Sequence, residues 1–328
     1  MNEGVTVLLP FLEPVQEELA LVEARLRAVA AGAYAPLAAA LQSLLDSGGK
    51  RLRPALAILA ARFYPPANPE AVIAAAAALE MLHTATLVHD DLIDGALLRR
   101  GHATLNASWD QGSTVLAGDY IFARAAAFAA ETGNPRVISL FAQTLMTICD
   151  GELRQIFGHL DWEQPREEYY RRIFSKTASL FAASTESGAV LSGAPEMAVQ
   201  ALRDYGRYLG MAFQMVDDIL DFTGDEEVMG KPVGSDLRQG ILTLPVFYFL
   251  QEHPHQREAL RALVEKGDGG DSLAQAVEMI RLSSAIEAAR AEARGFVARA
   301  RDALRSLPAV PPRQTLYELA DFVVERHL

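Results

Sequence analysis

Apolar residues recur at intervals of three and four along most of the chain, as in Leu19, Leu21, Val22, Leu26 and Val29. No long stretch alternates apolar and polar residues in the manner of a half-buried strand. That spacing places apolar side chains on one face of a helix, so it predicts a protein built almost wholly from helices packed through apolar stripes. The breaks are short: Gly48-Gly49, Tyr64-Pro65-Pro66, Gly133-Asn134-Pro135, Gly193-Ala194-Pro195, Gly267-Asp268-Gly269-Gly270 and Pro308 to Pro312. Each suits a turn between helices of ordinary length, and none is long enough to be a domain linker. The expectation is one all-α domain over residues 1–328, a length sufficient to bury a substantial core.

Half the residues are hydrophobic and 22% are charged, the balance of a globular chain rather than a disordered one. A formal net charge of -12 argues against general affinity for nucleic acid or an anionic membrane surface. Any anion held by this chain must therefore sit against local basic clusters. The single cysteine, Cys149, rules out an internal disulfide and fits a reducing compartment. The start, MNEGVTVLLPFLEPVQ, has an acid and no basic residue before its short apolar run, the wrong order for a secretory signal. No window of about 18 residues is both apolar and charge-free; the nearest, from Ala71 to Val88, contains Glu80 and His83. A cytoplasmic protein is expected.

One acid-rich pattern occurs twice, as VHDDLID at 88–94 and VDDILD at 216–221. Residues three and four apart share a helix face, so Asp90, Asp91 and Asp94 form one acidic patch and Asp217, Asp218 and Asp221 another. Like charges at these spacings cost about a few tenths of a kcal/mol on an exposed helix, and more when partly desolvated. A solvated helix face would account for one pair of aspartates; two copies between apolar flanks favour a bound cation. Carboxylates alone suit a hard cation such as magnesium, which keeps several waters and shares its remaining positions with phosphate oxygens. The expected ligand is a diphosphate bridged by magnesium. Glu80-Met81-Leu82-His83 also has the Glu-x-x-His spacing of di-iron bundles, but that architecture needs a second copy, which the sequence lacks.

Two basic segments complement the acids. Gly48-Gly49-Lys50-Arg51-Leu52-Arg53-Pro54 sets three cations behind two glycines, with a proline suited to a helix's first turn. Close backbone approach and a helix N-terminus make it a candidate phosphate seat. Arg99-Arg100-Gly101 follows the first acid cluster and could neutralise a diphosphate from the side away from the metal. Lys176-Thr177 and Gly230-Lys231-Pro232 are weaker signals taken alone.

Taken in order, GGKRLRP, EMLHTATLVHDDLID, LLRRG, VLAGDY, DGELRQ, SKTASL, FQMVDDILD and GKPVGSDLRQG before LTLP resemble the trans-polyprenyl diphosphate synthases, the head-to-tail prenyltransferases. The resemblance runs from about Gly48 to Pro245. It implies a single large helical bundle around a deep central cavity, with the two acid-rich helices facing each other at its mouth, and a homodimer. It implies elongation of an allylic prenyl diphosphate with isopentenyl diphosphate. By position, Asp90 and Asp94, with Asp91 nearby, resemble a first magnesium site, and Asp217, Asp218 and Asp221 a second, so that more than one magnesium ion is implied. Lys50, Arg53, His83 and Arg100 match the residues that hold isopentenyl diphosphate. Arg99, Lys176, Thr177, Gln214 and Lys231 match those around the allylic substrate, the last four as catalytic residues. No nucleic acid and no membrane span are expected, only a transient membrane contact as an apolar product leaves.

The stripe Thr86, Leu82, Leu79, Ala75 climbs one face of a helix from Asp90, and each turn adds about 5.4 Å, comparable to one isoprene unit. Short-chain members of the family place bulky aromatics just before the first acid cluster; here Ala85 and Thr86 stand there. An open first gate and the resemblance of HTATLVHDD to octaprenyl-type synthases imply a long product, of the kind used for quinone side chains. Phe122 and Phe128 are candidates for the tunnel floor and equally for plain core. Ile241 departs from the lysine common in the family after Gln239-Gly240, and Arg326 is a candidate to close over isopentenyl diphosphate. Alternatives are a farnesyl or geranylgeranyl diphosphate synthase, a terpene cyclase, whose second metal motif usually differs from VDDILD, and a non-catalytic subunit, which typically loses the acid clusters.

Overall fold

A computed structural model describes residues 9–66, 68–99, 101–158, 161–224, 233–266 and 271–326. The helices follow the punctuation of the sequence. First come α1 (Gln16–Ala28), α2 (Ala35–Asp46), α3 (Leu52–Ala61), α4 (Pro69–Ile93), α5 (Gln111–Glu131) and α6 (Pro135–Phe157). Next, α7 (Arg166–Ile173) passes through a π-helical turn, Phe174–Ala178, into α8 (Ser179–Leu191). After α9 (Glu196–Thr223) come α10 (Ser235–Arg238), α11 (Leu244–Glu252), α12 (Arg257–Glu265), α13 (Asp271–Arg281), α14 (Ala285–Ala303) and α15 (Pro311–Glu325). Among the described residues the only strands are β1 (Leu98–Arg99) and β2 (His102–Ala103), an antiparallel hairpin that pairs Arg99 with His102. The fold is all-α, as the apolar spacing requires. The expected turns at Gly48-Gly49, Tyr64 to Pro66 and Gly193 to Pro195 lie between helices; of Gly133 to Pro135 and Pro308 to Pro312, the last residues, Pro135 and Pro311-Pro312, already open α6 and α15; 267–270 falls outside the described residues.

The chain divides into two compact units. The first comprises Met1–Leu145, Leu180–Gly206 and Ala303–Leu319; the second comprises Met146–Ser179, Arg207–Asp302 and Ala320–Leu328. In the first unit α4 is the central element, buried without interruption from Ala71 to Leu82 and packed by α1, α3 and α5. Its alanine run lets those neighbours approach closely, and Asn68 caps its start by accepting from the Ala71 amide. Among the described helices α4 alone is long and apolar enough to cross a membrane, yet 78% of its apolar window is buried within the protein. In α1 the stripe Leu19, Val22 and Leu26 is buried, with Val29 just beyond it, while Leu21 is 52% exposed, because it falls off the stripe by one position.

Helix α8 meets α3 at Gly188, where an added Cβ would lie 2.0 Å from the carbonyl oxygen of Ala57. Backbone cannot yield as a side-chain tip does, so Gly188→Ala is expected to destabilise the protein by about 1–3 kcal/mol, as overpacking of a close contact does. A thermal unfolding midpoint within a degree of wild type would contradict the contact.

The second unit has a core that includes Tyr169, Phe222 and Phe249, all fully or nearly fully buried. Glu292 on α14 accepts from the hydroxyls of Tyr170 (2.5 Å) and Tyr248 (2.7 Å) and pairs with Arg166. Gly151 of α6 lies so close to Ser175 of the π turn that a Cβ there would meet the Ser175 Cβ at 2.3 Å. The glycine of DGELRQ therefore serves to bring α6 against the SKTAS segment.

Candidate active site

In the first unit, α4 ends at the acid cluster. Asp94 caps the helix, and Gly95 takes the left-handed conformation at φ 63. The Gly95 amide donates to Leu92 and the Ala96 amide donates to the Asp91 carbonyl, a paired closure that spends the last carbonyls of the helix and turns the chain into the hairpin. The hairpin carries Arg99 back over α4, where its Nε and Nη2 both lie 2.8 Å from Asp91 Oδ1. Asp91 is buried, and burial lifts it above the ordinary carboxylate range even against the attraction of Arg99. Asp90 is half-buried and Asp94 exposed, one turn apart at the helix end.

The cationic loop is sorted by its backbone. Arg51 adopts a left-handed conformation at φ 48, rare for a residue with a side chain. Its guanidinium turns away from the neighbouring cations to Glu80 (Nη1, 2.9 Å) and Glu23 (Nη2, 3.0 Å). Burial opposes that charge, but Glu80 and then Glu23 hold Arg51 above its ordinary value. Lys50 is left exposed, and Arg53 lies half-buried with its guanidinium 5.2 Å from the Phe181 ring centre. Glu80, one turn before half-buried His83, is thus the anchor of Arg51, which explains the Glu-x-x-His spacing without a di-iron site.

Ala85, Leu82, Leu79 and Ala75 are buried and Thr86 is half-buried, its hydroxyl donating to the His83 carbonyl at 2.8 Å. Facing α4, helix α5 carries Phe122, half-buried with its ring 5.3 Å from that of His89, and Phe128, buried beneath the Arg124 guanidinium at 5.6 Å. The His89 ring fills the space over Gly118, where a Cβ would approach its Nε2 to 2.1 Å. That contact accounts for the glycine of VLAGDY.

In the second unit, the C-terminal turns of α9 carry the other acid cluster. Asp218 is buried; its Oδ2 accepts from the Tyr169 hydroxyl (2.8 Å) and its Oδ1 from Gln214 Nε2 (2.9 Å). Burial, and then repulsion from Asp236, push it up to about 7, against those two hydrogen bonds. Asp221 is also buried and accepts from Ser235 Oγ (2.7 Å) and the Asp236 amide (3.1 Å). Asp217 is the most open of the three and pairs with Arg326 at 2.5 Å, whose guanidinium also lies 4.1 Å from the Phe213 ring centre. The π turn presents Lys176, 3.6 Å from Glu152, and Thr177, whose hydroxyl donates to Gln214 Oε1 at 2.6 Å. A π turn is uncommon and is often found at functional sites. A cavity of about 330 Å³ in this unit is lined by Gly151, Gln155, Arg171, Arg172, Gly240 and Ile241, among others.

Among the described residues, no three or more His, Cys, Asp or Glu side chains group as metal ligands. Three of the six aspartates, Asp91, Asp218 and Asp221, are buried and held by protein donors.

Against known proteins, the profile of the polyprenyl synthetase family matches residues 35–280. A heptaprenyl diphosphate synthase component 2 from Geobacillus stearothermophilus is 43% identical over 312 residues, 95% of this chain and 97% of that protein. The chain belongs to the polyprenyl synthetase family. Two solved polyprenyl synthetase relatives extend the likeness to structure. A decaprenyl diphosphate synthase from Rhodobacter capsulatus has a TM-score of 0.89 at 41% identity, covering 96% of this chain and 98% of its own. A polyprenyl synthase from Caulobacter crescentus CB15, solved with calcium and isoprenyl diphosphate, has a TM-score of 0.90 at 35% identity over 100% of both chains. As a polyprenyl synthetase the chain is a prenyltransferase, and its homologues include heptaprenyl, octaprenyl and nonaprenyl diphosphate synthases.

Of the residues matched to polyprenyl synthetase motifs, Lys50, Arg53, His83, Ala85, Thr86, Asp90, Asp91, Asp94 and Arg99 lie in the first unit. Lys176, Thr177, Gln214, Asp217, Asp218 and Asp221 lie in the second, where Thr177, Gln214 and Asp218 join in one hydrogen-bonded chain. Arg100 and Lys231 lie outside the described residues. Tyr169 and the structural role of Arg51 were missed by motif reasoning. Tyr169 had one usable signal: it stands seven residues before Lys176, two helical turns along the same face.

Proposed function

We propose that this protein elongates an allylic prenyl diphosphate by repeated trans condensation with isopentenyl diphosphate, giving a long-chain all-trans polyprenyl diphosphate. The observation that carries the reading is the division of labour within the acid clusters. Asp91, Asp218 and Asp221 are buried, whereas Asp94 is exposed, Asp90 is half-buried one turn before it, and Asp217, paired with Arg326, is the least buried acid on α9. Two carboxylates on one helix face, with no closed cage of protein ligands, fit magnesium, which completes its shell with water and substrate phosphate oxygens. Asp90 and Asp94, and separately Asp217, are the residues that would hold it. Bound there, magnesium would supply Lewis-acid stabilisation of the diphosphate's negative charge as it departs.

The chain's own groups do the rest. Lys50, Arg53, His83 and Arg100 hold isopentenyl diphosphate; Arg99, Lys176 and Lys231 neutralise the allylic diphosphate, which leaves with the electron pair of its C–O bond. The oxygens of Gln214 and Thr177 meet the positive charge left on the allylic carbon. The double bond of isopentenyl diphosphate supplies the electron pair for the new C–C bond, and a proton then passes to the departed diphosphate. Apolar walls exclude the water that would quench the cation as an alcohol. Ala85 and Thr86 admit the growing tail. Since the family match at 35–280 draws on both units, one synthase domain is proposed to span the chain.

A homodimer is part of this reading. Helix α6 exposes Ile138, Met146, Leu153 and Phe157 at helical spacing, the last three at 63%, 53% and 85%. Such a stripe is what a second copy of the chain would cover. Sedimentation of the M146E/L153E variant as a monomer is expected; a wild-type monomer would contradict it. The Geobacillus relative is named as one component of an enzyme, which favours as second reading a chain that needs a different partner subunit. Purified protein alone, given magnesium, isopentenyl diphosphate and farnesyl diphosphate, decides between them: label from isopentenyl diphosphate should enter an apolar product. No incorporation until a second subunit is added would favour the heteromer, and a cyclic hydrocarbon would point to a cyclase. The cytoplasm is the proposed compartment, with transient membrane contact at product release.

A further inference from the structure

Tyr169 lies on α7 with no exposed surface, outside every motif that carries the family resemblance. Its hydroxyl donates to Asp218 Oδ2 at 2.8 Å, and Asp218 Oδ1 accepts from Gln214 Nε2 at 2.9 Å. Gln214 Oε1 in turn accepts from Thr177 Oγ1 at 2.6 Å. All four residues belong to the second unit. Each oxygen of the Asp218 carboxylate accepts one hydrogen bond, Oδ2 from Tyr169 and Oδ1 from Gln214. A carboxylate can only accept, and that decides which way the Gln214 amide turns: its NH2 faces Asp218 and its oxygen faces Thr177. The amide is nearly symmetric in shape, so its orientation is set by its hydrogen-bond partners, and Asp218 is the one that accepts from its NH2. Donation to a buried carboxylate also polarises the amide and adds negative charge to its oxygen. The Thr177 hydroxyl uses one lone pair of that oxygen and leaves the other.

We propose that Tyr169 and Asp218 are positioning residues for prenyl transfer: together they lock the Gln214 amide so that its oxygen, not its NH2, meets the allylic cation. The proposal deepens the prenyl-transfer reading and rests on it. Tyr169 holds the carboxylate, the carboxylate holds the amide, and neither Tyr169 nor Asp218 touches the diphosphates. Asp218 is thereby assigned to the amide rather than to a metal ion.

The test uses the full-length protein and measures kcat, the KM for each diphosphate and the magnesium dependence. Tyr169→Phe keeps the buried ring and removes only the donor; kcat should fall about tenfold. Asp218→Asn removes the negative charge that polarises the Gln214 amide and puts an NH2 where one accepting oxygen stood, so kcat should fall about a hundredfold. Both KM values and the magnesium requirement should stay within about twofold of wild type, since diphosphate binding is untouched. In a Gln214→Leu background, Tyr169→Phe should cost nothing further, because Tyr169 acts only through the amide. Independent, multiplying losses in that double variant would reduce Tyr169 to packing and overturn the proposal. So would an Asp218→Asn enzyme whose rate recovers at high magnesium, the mark of a direct metal ligand. Should Asp218→Asn fail to fold, the Tyr169 and Gln214 pair alone decides. Wild-type protein that elongates nothing would overturn the prenyl-transfer reading itself, before any variant is compared.

Discussion

Asp90→Ala is expected to lower turnover by on the order of 10³-fold while leaving the helical circular dichroism and the unfolding midpoint near wild type. Asp90 stands half-buried in the last turn of α4, beside Asp91 and close to Asp94, so its loss relieves like-charge repulsion and empties no core volume. Its removal would weaken metal-assisted departure of diphosphate, an effect worth several kcal/mol, and a thousandfold corresponds to about 4 kcal/mol. Asp217→Ala should act in the same direction, with one difference: it also strips Arg326 of its carboxylate partner. Near-normal turnover in either variant would refute the metal-site assignment. The paired readout matters because a loss of activity accompanied by a lower unfolding midpoint would report only damage to the helix end.

Placing phenylalanine at Ala85 is expected to shorten the product by several isoprene units. Residues 85 and 86 precede the acid cluster by one turn, and each further turn of α4 corresponds to about 5.4 Å of tail. A ring at this level should stop the chain near the length that short-chain relatives make. Ala85 is fully buried, so the added volume carries a cost of about 1–3 kcal/mol. Thr86→Phe, at a half-buried position, carries less of that cost and serves as the companion variant. Unchanged product length in both would show that the tail takes another route.

Much of the fold was legible because helix periodicity and helix breakers are local properties. The apolar spacing gave the all-α class, and the Gly and Pro clusters marked helix boundaries. Leu21 shows where the pattern misleads, since only the phase of α1 against its neighbours sends it outward. The candidate site was legible in its charges but not in their division. Sequence presents six equivalent aspartates; burial and hydrogen bonding set Asp91 against Arg99, Asp218 against Tyr169 and Gln214, and Asp221 against Ser235. Likewise, GGKRLRP presents three cations, and only the left-handed backbone at Arg51 shows that one of them turns inward to Glu80 and Glu23. Glu80 and Glu23 lie 29 and 28 residues from Arg51, and Tyr169 lies 49 from Asp218, so no local spacing rule connects them. Arg326, a candidate to close over isopentenyl diphosphate, pairs with Asp217, and Ile241 stands in the wall of an arginine-lined cavity.

The central claim is that this chain builds a long prenyl tail by ionising an allylic diphosphate next to an open gate of small residues. Mass analysis of the dephosphorylated product, made by wild-type protein from farnesyl diphosphate, excess isopentenyl diphosphate and magnesium, tests it most directly. A single dominant polyprenol well beyond geranylgeraniol is the predicted result. Product that stops at farnesol or geranylgeraniol, with isopentenyl diphosphate still in excess, would contradict it.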